Sequence, residues 1–63
     1  MNIESKLWKI KAVAPHCVII TQKASGANSY VTESHLPNLD YLAACSERRF
    51  DAVCRAVFHG EDY

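Results

Sequence analysis

The chain has little glycine, no paired cysteines, no long apolar run and no excess of either charge, and each shortage removes a class of function. Its two glycines, Gly26 and Gly60, are too far apart to form a glycine-rich loop that cradles phosphate. Cys17, Cys45 and Cys54 are an odd number at irregular spacing. They match neither a disulfide framework nor the paired C-x₂-C ligands of a zinc site. No stretch approaches the ~20 apolar residues of a membrane span. Val18-Ile19-Ile20 is too short for the apolar core of a secretion signal, and Pro15 and His16 interrupt the residues before it. Reduced thiols in a cytoplasm are therefore expected. Lys+Arg and Asp+Glu each total 7, so the basic excess that usually marks a nucleic-acid-binding domain is missing. Neutrality also removes one defence against self-association.

What remains is an ordinary globular composition, 49% hydrophobic and 22% charged, which excludes a disordered chain. Sixty-three residues make one small α+β domain spanning 1–63, near the lower size limit for independent folding. A chain this short buries only about 60% of the surface its unfolded form exposes. Small domains therefore lean on disulfides, a metal or another subunit.

Two or three strands and one long helix are expected. Residues 6–13 alternate, with Trp8, Ile10 and Ala12 on one face and Lys9 and Lys11 on the other, as in a half-buried strand. Pro15 cannot donate a ladder hydrogen bond and ends that run. Residues 16–23 are rich in β-branched side chains and predict a second, central strand. Residues 24–28 have turn chemistry, and 29–33 predict a short third strand at an edge.

Pro37 disfavours helical geometry at Leu36, and Asn38 is suited to cap a helix beyond it. Leu39, Leu42, Ala43, Ser46, Phe50, Val53, Cys54 and Val57 then share about 120° of a helical wheel. Gly60 is placed as the C-terminal cap. The alternative is two shorter helices broken near Cys45-Ser46, because Ser46 is itself a good cap. The apolar stripe keeps phase through that point without glycine or proline, which favours one helix over 38–59, about 33 Å long at 1.5 Å per residue. The expected architecture is an antiparallel β-meander of two or three strands packed against one long C-terminal amphipathic helix.

A second seam lies beside the core stripe. Cys45, Arg49, Ala52 and Ala56 recur at spacings of 4, 3 and 4, and three of the four are small. Alanine needs no reason beyond helix propensity to be there. The spacing is also how one helix packs on another, and with a single helix in the chain the other must come from a second subunit. On the remaining face, Asp51 and Arg55 are placed for an i,i+4 ion pair. Phe58 falls near the helix end, off the stripe, as an exposed aromatic.

The residues with chemical potential do not assemble into a motif. Cys54 and His59 lie five apart on the helix, so their side chains diverge. His16 and Cys17 point to opposite faces of a strand. No catalytic residue, metal ligand or cofactor is therefore expected. Lys6, Lys9, Lys11 and Lys23 are the candidate nucleic-acid contacts, with Trp8 or Tyr30 as a stacking surface if exposed. Against that, lysine alternating with apolar residues is how a half-buried strand meets water, and lysine protects edge strands from aggregation. The leading expectation is a non-enzymatic interaction or regulatory protein, a homodimer or one half of a protein complex. Its expected interface is Cys45, Arg49, Ala52, Ala56 and Phe58. A small nucleic-acid-binding accessory protein is the alternative.

Overall fold

The computed structural model describes residues 2–63 and contains four strands, where two or three are expected from the sequence. They are β1 (Asn2–Glu4), β2 (Trp8–Ala14), β3 (Cys17–Gln22) and β4 (Ala27–Thr32), paired antiparallel in the order β1-β2-β3-β4. Three residues are too few for β1 to show an alternation, and it is stable only as an addition to the β2 edge. The second strand alternates as its sequence predicts: Trp8 and Ile10 are buried, Lys11 is exposed and Lys9 half-buried. An irregularity between Ala12 and Ala14 leaves Val13 without a partner in β3.

Pro15 and His16 form the β2–β3 turn, with His16 at φ 64°, the left-handed region that few non-glycine residues occupy. β3 thus begins at Cys17 rather than at His16. Glu33, just after β4, steadies this turn: its N–H donates to the His16 carbonyl at 2.9 Å, and its carboxylate lies 3.6 Å from the His16 ring.

The long helix is two helices. A single turn of 3₁₀ helix (Glu33–His35) leads to α1 (Leu39–Ala44), and α2 runs from Glu47 to Phe58. Asn38 caps α1 as expected, accepting from the Asp40 N–H at 2.7 Å. The break falls at Cys45 and Ser46, both in extended geometry (ψ 170° and 154°), and the Ser46 hydroxyl accepts from the Arg49 N–H at 3.2 Å. A local side-chain cap is enough to start a new helix without glycine or proline. The apolar stripe keeps phase through the break because both helices cover the same core, so periodicity cannot reveal it. A continuous helix of ~33 Å would also have overrun the sheet, since seven strand residues span only about 24 Å. At the far end, Gly60 takes φ 74°; its N–H donates to Val57 and that of Glu61 to Ala56, a Schellman closure.

One core results. Trp8, Ile10, Val18 and Ile20 from the sheet meet Leu36, Leu42, Phe50, Val53, Cys54 and Val57. A polar clamp ties the pieces together at Ser5, in the β1–β2 turn. Its buried hydroxyl donates to the Asp51 carboxylate of α2 at 2.5 Å and accepts from the Trp8 N–H at 3.1 Å, while its carbonyl receives the Lys23 ammonium at 2.7 Å. Asp51 therefore serves the sheet. The expected ion pair with Arg55 does not form within 4.0 Å.

Removing the Ser5 hydroxyl strands a carboxylate and backbone N–H groups, so Ser5→Ala should cost about 1–3 kcal/mol. Losing the exposed Ser46 cap should cost about 1 kcal/mol. Urea unfolding of Ser5→Ala and Ser46→Ala, followed by far-UV circular dichroism, checks both values and their order.

Candidate interaction surfaces

Strand alternation that sends Trp8, Ile10, Val18 and Ile20 inward sends their neighbours outward, onto a sheet face that no helix covers. The registers place Lys11, Ile19 and Tyr30 in one row across β2, β3 and β4, with Lys9, Thr21 and Asn28 in the next. Tyr30 is 71% exposed, and the Thr21 hydroxyl donates to the Asn28 side chain at 2.6 Å. Trp8, the other stacking candidate, is buried and packs edge-to-face with Phe58 at 5.3 Å.

The four candidate lysines are in different situations. Lys9 and Lys11 share the open face. Lys6 is exposed in the β1–β2 turn. Lys23 is held by the Glu4 carboxylate and the Ser5 carbonyl. The hydrogen bond and charge of Lys23 hold the Glu4 carboxyl below its ordinary pKa.

The expected helical seam is divided by the break. Arg49, Ala52 and Ala56 remain on α2, with Arg49 and Ala52 exposed and Ala56 half-buried. Cys45 is the end cap of α1 and packs against the core, its thiol 3.3 Å from the Leu42 carbonyl. Arg49 donates to the Tyr41 hydroxyl at 3.3 Å. Phe58, expected to be exposed, lies half-buried against Trp8.

The two sheet edges differ. β1 is short, and its neighbourhood is charged, with Glu4 opposite Lys9 and bonded to Lys23. β4 is six residues long, Ala-Asn-Ser-Tyr-Val-Thr, without charge or proline, and no described strand pairs with its outer side. Beside it, an open cleft of about 570 Å³ separates Val31 from Val57 and the tail, with His35, Glu61 and Asp62 on its walls. The sequence places this strand at an edge and Lys9 and Lys11 on an outward face; what it does not show is that the strand starts at Ala27 and lines up Asn28 and Tyr30 with those lysines. The signal was the alternation over 27–32, in which Asn28, Tyr30 and Thr32 share one side.

Among the described residues, no three His, Cys, Asp or Glu side chains come together as metal ligands, and no helix is long and apolar enough to cross a membrane. The three cysteines are free thiols. No family model matches the chain, and no curated protein or solved structure matches it.

Burial pushes the Cys54 thiol up to about 12, helped by the charge of Asp51. A thiol that ionises only when unfolded favours the unfolded state, so its effect is absent below the ordinary thiol range and erodes stability as pH rises from about 9 toward 12. Native protein treated with iodoacetamide at pH 8 should label Cys17 and Cys45 and spare Cys54, which reacts only after denaturation. Peptide mass spectrometry reads the three sites separately.

Proposed function

We propose that this chain is a non-enzymatic interaction protein of a reducing cytoplasm that works as a homodimer, joined by antiparallel pairing of β4 with β4 of a second copy. The observation that carries this reading is the contrast between the two edges. Natural sheets blunt exposed edges with short strands, lysine, proline or bulges. β1 is short and charged, whereas β4 presents six uncharged residues with an unoccupied row of backbone donors and acceptors. Strand addition is a common mode of protein recognition, and a two-fold axis lets one edge satisfy itself. A net charge of zero adds no repulsion between copies. The thin core supports the same reading, because so short a chain has little burial to spare.

The alternative dimer contact is the α2 seam of Arg49, Ala52 and Ala56, and substitutions separate the two. Light scattering at high micromolar concentration should give twice the 7.1 kDa of one chain. Asn28→Lys, which brings two ammonium groups to the β4 seam, should return the monomer, while Asn2→Lys on the β1 edge and Ala52→Glu on α2 should not. Dissociation by Ala52→Glu alone transfers the interface to the helix. A wild-type monomer at that concentration ends the homodimer reading.

A further inference from the structure

We propose that the open face of the sheet binds single-stranded nucleic acid, with Tyr30 as the stacking platform and Lys9 and Lys11 on the phosphates. Tyr30 and Asn28 belong to β4, but their side chains lie on the open face while the proposed strand pairing uses the backbone groups of the edge, so the inference does not depend on dimer formation.

Charge is neutral only in total. Residues 2–32, which form the sheet, carry four lysines against Glu4 alone, while residues 33–63 carry six acidic side chains against Arg48, Arg49 and Arg55. The fold places these halves on opposite sides of the core, so the basic half has a free face and the acidic half covers the other. The neutral sum that argued against nucleic acid thus divides into a sheet half with three more cations than acids and a helical half with three more acids than cations.

The position of the lysines removes their simplest explanation. Lysine protects an edge strand, but β2 is an interior strand, hydrogen-bonded to β1 on one side and β3 on the other. Lys9 and Lys11 therefore guard no edge. They stand about 7 Å apart, two residues at ~3.4 Å each. Their row partners are suited to bases: Lys11 leads through the half-buried Ile19 to the exposed ring of Tyr30, and Lys9 leads through Thr21 to the Asn28 amide. Tyr30 lies two strands from Lys11, about 10 Å at the usual strand spacing. A single strand laid across the sheet can place phosphates at β2 while a base stacks at β4. A duplex keeps its bases in its own stack and gains nothing from Tyr30, so the unpaired strand is the form that fits. Glu4 stands directly across from Lys9 in the β1–β2 register, and its bond to Lys23 limits its repulsion of phosphate there.

The full chain should be titrated into a fluorescent single-stranded oligothymidine at about 50 and 200 mM salt, with a duplex oligonucleotide and poly-glutamate as competitors. Binding should be strongest at low salt. The combined Lys9→Ala and Lys11→Ala variant should lower the salt slope by about 1.4, at ~0.7 per lost phosphate contact. Tyr30→Ala should weaken binding about tenfold without changing that slope, and Tyr30→Phe should restore it. Because all three side chains lie on the uncovered face, circular dichroism should show folded variants. Absence of binding at 50 mM overturns the proposal. Equal competition by poly-glutamate together with an inert Tyr30→Ala also overturns it, leaving only general attraction to polyanions. So does salt-sensitive self-association that the lysine variant abolishes without any oligonucleotide binding, which assigns the face to the acidic side of a second copy.

Discussion

One constraint governs this structure: a single sheet has one apolar face, and about twenty helical residues must cover it. Trp8, Ile10, Val18 and Ile20 cannot stay in water at ~25 cal/mol per Å² of apolar surface, and only α1, α2 and Leu36 are available to enclose them. The break at Cys45-Ser46 follows from this. Two capped helices can each lay Leu42, or Phe50, Val53, Cys54 and Val57, on a twisted sheet, where one straight rod would leave part of the sheet open and part of itself hanging.

Covering the core leaves the problem of alignment, which apolar contacts alone settle poorly. Ser5 supplies direction. Its hydroxyl joins the β1–β2 turn to Asp51 of α2, and its carbonyl joins the same turn to Lys23 beyond β3. Three segments distant in sequence meet at one buried residue, so the helix has one preferred position along the sheet. Glu33 acts similarly at the opposite end, holding the Pro15–His16 turn against the start of the helical half.

The same economy shapes the surface. With both described helices committed to one face, no described element covers the other face or pairs with the β4 edge. Both are therefore presented to whatever surrounds the molecule. The edge offers backbone groups and no charge, while the face offers lysine, tyrosine, hydroxyl and amide groups in rows.

Local chemistry was legible in the residues themselves. Alternation placed Trp8 and Ile10 inside and Lys11 outside, because a strand's side chains switch faces at every residue. Asn38, Gly60 and the Pro15 turn could be read because capping and fixed φ act over a few residues. The break at Cys45-Ser46 was open as the alternative that Ser46 marks, but nothing local could choose it over one helix, and the fourth strand and the Ser5 clamp could not be read at all. The stripe from Leu39 to Val57 is the same whether one helix or two cover a common core, and Ser46 caps only when the chain gains by turning there. β1 pairs because β2 is beside it, and Asp51 chose Ser5 over Arg55 because folding brought that hydroxyl within reach. Whether Lys9 and Lys11 guard an edge or line an interior strand was likewise decided by a strand formed outside them.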